Sequence, residues 1–301
     1  VTVERAPPRG GVPIAAAGAI LALVAAAAFL PALMAFRIAR RYARIPALAL
    51  APLRRLAGDG REAPPLADPR GLAARADGAL VVADWQRQAV LAIRAGGAAA
   101  AWLPLRGRFE VEFGANGGLY LFDVGREALV RFDAGGRARQ SVRVPLAAAP
   151  ALAAAPEGGV FVSDGARIMR LSAELERVAS FAPAPLAGVR GLAFASGRVW
   201  AATEDGTLVA LSPAGEVVAR ARLVGNPGRL APAGGGAVYV ADERTGRIWV
   251  YDGAARLLGR LAPAPEPGAE LRPSGLRATP DGGLAVSGSG GVWAFVREDF
   301  R

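Results

Sequence analysis

Pro69-Arg70-Gly71-Leu72-Ala73, then Asp77-Gly78-Ala79-Leu80-Val81-Val82-Ala83-Asp84, then Val90-Leu91-Ala92-Ile93, is a phrase that this chain writes more than once. It returns as Pro227-Gly228-Arg229-Leu230-Ala231, Gly236-Ala237-Val238-Tyr239-Val240-Ala241-Asp242 and Arg247-Ile248-Trp249-Val250-Tyr251-Asp252. Variants lie between and after. Short apolar strands repeating with a period of roughly 40 residues are the signature of a β-propeller, in which each repeat is one blade. Each unit supplies an inner strand, a turn, a second strand, another turn and a third strand.

Six units align. The second holds 116–123 and 129–133, the third 157–164 and 168–171, and the fourth 191–194, 197–201 and 208–211. The sixth holds 273–276, 281–286 and 292–296. A fourth, outer strand follows in five of them, as in Ser141-Val142-Arg143-Val144. The sixth unit runs out soon after its third strand. Residues 52–58, Pro-Leu-Arg-Arg-Leu-Ala-Gly, read as the missing strand. Pairing it with the last blade closes the ring and removes an exposed sheet edge. The expectation is therefore an all-β, six-bladed propeller over 52–301, closed by an N-terminal strand.

Ahead of it, residues 12–36 carry no charge. A run of that length is sufficient to cross a bilayer, so one transmembrane helix is expected to precede the propeller. A cleaved signal peptide, with Ala26 or Ala28 near the cut, is the alternative. Residues 1–44 thus form the tail, anchor and basic flank, and 45–51 a Pro- and Ala-rich linker. The expected location is a bacterial inner membrane. Arg37, Arg40, Arg41 and Arg44 follow the apolar run and favour a cytoplasmic propeller. Propellers behind a lone N-terminal anchor are more often exported, so the side stays open.

Composition narrows the chemistry. The 301 residues include no Cys and no His, and all 36 basic residues are Arg. Thiolate nucleophiles, Cys- and His-ligated metals, a histidine base and lysine Schiff bases are thereby excluded. The net charge of +10 suits an anionic membrane surface or nucleic acid. The arginines are nevertheless scattered over all repeats, as a GC-rich genome would write them, and nucleic acid is not the expected partner.

The phrase Pro-x-Gly-Leu-Ala, Asp-Gly, apolar-apolar-Val-Ala-Asp, Arg-Ile-x-x-Tyr-Asp resembles the NHL repeat, over about residues 52–301. That resemblance implies a six-bladed ring and a binding platform. It also brings two other functions into view. Gluconolactonase-like relatives hold a divalent metal in the channel with acidic and amide side chains, and some NHL propellers bind RNA through a basic face. Only Glu110, with Glu112 nearby and Asn226 at a distance, offers itself as a channel oxygen ligand. The NHL-like lyases that use His-bound zinc are excluded by the absence of His.

Individual residues sort accordingly. Asp84, Asp123, Asp164 and Asp242 end the second strands and read as turn acceptors for backbone N–H groups, with Thr203 and Gly288 in the same place in blades four and six. Most Trp and Tyr residues read as packing between blades, and Trp85 and Trp102 fit that role least well. The aligned inner-strand position is Gly71, Gly191 and Gly275 in three blades, but Glu110 in blade two and Arg229 in blade five. Those two blades face each other across a six-membered ring. With Glu112, Arg70, Arg108, Arg190 and Arg272 close by, the expectation is an Arg-lined channel mouth with an acidic flank that holds an anionic group. No cofactor, metal or catalytic residue is implied. The expected function is a membrane-tethered, non-enzymatic scaffold for a protein partner or a small anionic ligand.

Overall fold

A computed structural model describes residues 54–57, 66–75, 78–93, 99–114, 117–146, 150–182, 186, 188–261, 272–279, 283–288 and 291–295. The chain divides between Pro46 and Ala47, and every described residue belongs to the second unit. The expected transmembrane helix at 12–36, its basic flank and the 45–51 linker lie outside the described residues. Among the described residues no helix is long and apolar enough to cross a membrane.

The strands form six four-stranded antiparallel sheets. The inner strands, in blade order, are Pro69–Ala74, Phe109–Phe113, Ala151–Ala154, Val189–Ala195, Pro227–Pro232 and Gly275–Ala278. Second strands are buried along their length because a blade covers each face. Leu119–Asp123 and Val238–Asp242, for example, are buried at every position. Outer strands such as Ala138–Arg143 are mostly exposed. The arrangement is that of a six-bladed propeller.

Blade six takes its outer strand from the other end of the chain. Arg54–Ala57 pairs antiparallel with Gly291–Phe295, setting Arg54 opposite Ala294 and Arg55 opposite Trp293. Ring closure continues in the core, where Ala285 and Val292 of blade six pack with Leu72, Val82 and Leu91 of blade one. Between blades two and three the contact is made by Tyr120, Phe122 and Leu129 against Val160, Val162 and Leu171. Burying such large side chains stabilises a contact by about 1.5–3 kcal/mol each. Trp200, Trp249, Tyr120, Tyr239 and Tyr251 are all fully buried.

The turn aspartates fix the face on which the inner strands begin. Asp84 accepts hydrogen bonds from the backbone N–H groups of Ala67 (2.7 Å), Asp68 (3.0 Å) and Arg87 (3.1 Å). Asp242 does the same for Asn226, Arg244 and Thr245. In both blades one buried carboxylate ties the turn after the second strand to the segment leading into the inner strand. The backbone around Arg70 is positioned by this clamp.

Candidate functional site

Strand pairing defines the channel lining. Gly71 sits opposite Ala83, Glu110 opposite Phe122, Ala151 opposite Ser163, Gly191 opposite Ala202 and Gly275 opposite Ser287. Arg229 falls at the same level, between the Pro227–Asp242 and Leu230–Val240 pairs. These six residues form one layer. Two residues further on, the strand period returns side chains to the same side. The second layer is Ala73, Glu112, Ala153, Ala193, Ala231 and Arg277.

Each layer therefore contains one glutamate, one arginine and four small residues. The glutamates both come from blade two. Glu110 pairs with Arg229 of blade five, and Glu112 with Arg277 of blade six. The guanidinium groups also bond across blades: Arg229 Nε donates to the Ser274 carbonyl at 3.2 Å and Arg277 Nε to the Leu72 carbonyl at 3.4 Å. Small residues elsewhere in the layers are a steric requirement. A Cβ on Gly275 would stand 2.7 Å from the Arg70 carbonyl, and one on Gly191 would strike the Gly228 carbonyl.

What remains is a cavity of about 30 Å³ bounded by Gly71, Glu110, Ala151, Gly191, Arg229 and Gly275, room for water and nothing larger. Burial pushes the carboxyls of Glu110 and Glu112 above the ordinary glutamate range. Arg229 and Arg277 respectively pull them part of the way back, and the charge of Glu243 adds to the upward push on Glu110. A raised carboxyl is what a general acid needs. Here each is held by a guanidinium, and Glu112 also receives backbone N–H groups of Phe113 and Ala154. Among the described residues no three acidic side chains converge as a metal site would require.

The remaining predicted residues sit outside this plug. Arg70 and Arg108 flank the indole of Trp85, their guanidinium carbons 5.6 and 5.7 Å from its ring centre. Trp85 is pinned by its Nε1, which donates to the Phe109 carbonyl at 2.8 Å. Gln88 holds the loop carrying Arg108 by donating to the carbonyls of Trp85 and Gly107 and accepting from the Gly107 N–H. Arg70 also meets Asp68 at 2.7 Å, both side chains being well exposed. Arg190 pairs with Glu204 of its own blade at 2.8 Å, again in solvent. Arg272 is exposed just before the inner strand of blade six.

The structure thus brings Glu110 and Arg229 together, places Glu112 beneath them, and gathers Arg70 and Arg108 into a separate group around Trp85. Arg277 was not among the residues singled out from the sequence. Extending the inner-strand alternation from Gly275 by two positions would have found it. The role of Trp85 rests on two loops and has no periodic signal.

Comparison with known proteins adds the fold and no more. No family model and no curated protein sequence matches the chain. Among solved structures it is similar to a gluconolactonase from Xanthomonas campestris, at 20% identity over 84% of this chain and 98% of that one, with a TM-score of 0.64. It is also similar to a streptogramin B lyase, at 11% identity over 82% and 97% of the two chains and a TM-score of 0.62. A virginiamycin B lyase from Staphylococcus aureus matches at 13% identity over 75% and 79%, with a TM-score of 0.58. A histidine-to-alanine variant of a Staphylococcus aureus virginiamycin B lyase, described as catalytically inactive, also matches. The present chain has no histidine at all. These likenesses establish the six-bladed propeller fold.

Proposed function

We propose that this NHL-like propeller is a membrane-tethered binding scaffold whose ligand docks at the channel mouth through carboxylate groups. The observation that carries the reading is the pair of glutamate–arginine bridges across the channel. They occupy the axis, where a substrate would have to enter, and they engage the carboxylates that a metal site would need. The mouth, in contrast, offers Arg108 and Arg70 over Trp85, Arg70 sharing only a solvent-exposed contact with Asp68. A guanidinium stacked on an indole keeps donors free for a planar carboxylate. The tether and bacterial inner-membrane location rest on the apolar run at 12–36.

A metal-dependent hydrolase is the second reading, and the fold likeness to a gluconolactonase favours it. It requires the two bridges to open and Glu110 and Glu112 to turn from arginine to a cation. The experiment that separates the readings is a titration of the full-length protein in neutral lipid nanodiscs with an octaglutamate peptide and with free glutarate. A parallel assay follows gluconolactone hydrolysis with added calcium or magnesium. The scaffold reading expects saturable binding of a carboxylate probe and no metal-dependent hydrolysis. Binding of the peptide alone assigns a protein partner, and binding of both a small ligand. Metal-dependent hydrolysis lost in Glu110→Gln would overturn it.

A further inference from the structure

A second site lies away from the channel, at the outer end of the joint between blades two and three. Adjacent blades diverge outward, and at two joints an aromatic side chain fills the wedge against a glycine of the next blade's turn. Between blades one and two that side chain is Trp102, which lies 6.3 Å from Phe113 and against Gly136. Between blades three and four it is Phe181, packed on Gly215. The residue matching Phe181 in blade two is Val142. Register fixes the match, since Phe181 pairs with Ile168 and Val142 with Leu129 at the same place in the third strand. Val142 is smaller, and where blades two and four have Gly136 and Gly215 in the facing turn, blade three has the buried Leu175, so the wedge is filled from the other side only in part.

The result is a cavity of about 400 Å³, within the size range of small-molecule sites. Its floor is apolar: Val142, Val144, Met169, Leu171 and Leu175. Its rim is basic, with Arg143, Arg167 and Arg177. Asp164, the one carboxylate in the lining, and Glu127 beside Arg143 are already engaged. Asp164 takes Arg167 at 3.1 Å together with the N–H groups of Ala166 and Arg167, and Glu127 reaches Arg143 at 3.4 Å. Arg177 is exposed and makes no ion pair among the described residues. The rim therefore keeps a positive excess next to an apolar pocket.

We propose that this wedge binds a single-chain amphiphile with an anionic head, such as a long-chain carboxylate. Its apolar body would lie against Val142, Val144, Met169 and Leu175 and its head would meet Arg177. This site is independent of the channel mouth, and its fate does not bear on the reading given above.

Methionine supplies the test, because the chain has two and Met169 lines the pocket. The full chain, labelled at the methionine methyls and held in phosphatidylcholine nanodiscs, is titrated with laurate, and the Met169 signal is assigned by its loss in Met169→Leu. The expected result is a saturable shift of that signal with laurate and none with dodecyltrimethylammonium. Val142→Phe should abolish the shift. Arg177→Glu, at an exposed position that leaves folding intact, should weaken laurate binding about tenfold, the loss of one charge-assisted contact. No saturable shift with laurate, an equal shift with the cationic amphiphile, or unchanged affinity in Arg177→Glu would overturn the proposal.

Discussion

Arg229 and Arg277 cross the ring to reach glutamates of blade two, while Arg70 and Arg108 remain at the surface over the ring of Trp85. The residue type is the same and the surroundings are opposite. In the channel the guanidinium groups are largely buried, with side-chain exposures of 21% and 16%, so removing a partner strands a charge in a poorly solvated place. At the mouth water screens every interaction, and a lost contact is replaced by solvent. The difference teaches that a count of arginines says little about function. What matters is whether each is enclosed with its anion: Arg229 and Arg277 are, whereas Arg70 meets Asp68 in solvent and Arg108 makes no ion pair among the described residues.

The sharpest way to break this contrast is to remove one channel partner. Glu112→Gln should destabilise the fold by about 3–5 kcal/mol, the range for breaking a buried ion pair. The thermal midpoint would then drop by roughly 10 °C. Replacing both partners, Glu112→Leu with Arg277→Met, should recover most of that loss, because apolar residues of similar volume need no counter-charge. Calorimetry of the two variants checks it. A double variant as unstable as the single one would show that the arrangement depends on the charges themselves.

At the mouth the expected effect is on binding and not on stability. Arg70→Ala with Arg108→Ala should cost at most about 1 kcal/mol of folding stability, yet weaken carboxylate binding about tenfold or more. Tryptophan fluorescence should report the change as well, since both guanidinium groups lie over the Trp85 ring. Unchanged affinity for both octaglutamate and glutarate would move the binding surface elsewhere.

The smallest effect expected is a pH slope. Glu110 and Glu112 have folded-state pKa values above the ordinary 4.5. As pH rises past that value the unfolded chain loses these protons first, so the unfolded state binds fewer protons and stability declines. The decline ends once the folded groups ionise. Asp133 and Asp205 act in the opposite sense. Hydrogen bonds from the Arg137 backbone and from the Thr203 hydroxyl, respectively the largest causes, hold them below 3.8, and their contribution is lost as pH falls through the folded values. Denaturation curves across weakly acidic pH should show the first trend in the wild type. The Glu112→Leu/Arg277→Met variant should lack the Glu112 part of it.

Much of this was legible in the sequence, for reasons that can be stated. Repetition reveals the ring, and counting units places Glu110 of blade two and Arg229 of blade five opposite each other; in the sequence they read as part of an anion-binding mouth, and the bridge between them appears only in the structure. The outer strand missing from blade six pointed to residues 52–58, and the closing strand Arg54–Ala57 lies within that span. Arg277 was readable from the two-residue strand alternation. Trp85 was not, because its setting depends on loops tied by Gln88, which no period describes. The wedge at Val142 was hidden for a third reason. The exchange of an aromatic–glycine pair for Val142 and Leu175 becomes visible only when register shows that Phe181 and Gly215 occupy the same places one blade on.

The most direct test of the central claim, that charges on blade two bridge the channel to the far side of the ring, is a double-mutant cycle on Glu110 and Arg229. The exposed Arg190–Glu204 pair serves as reference. The account predicts a coupling above about 2 kcal/mol across the channel and below about 1 kcal/mol for the exposed pair. Equal, small couplings for both would mean that Glu110 and Arg229 do not hold each other, and that the channel is open to a ligand after all.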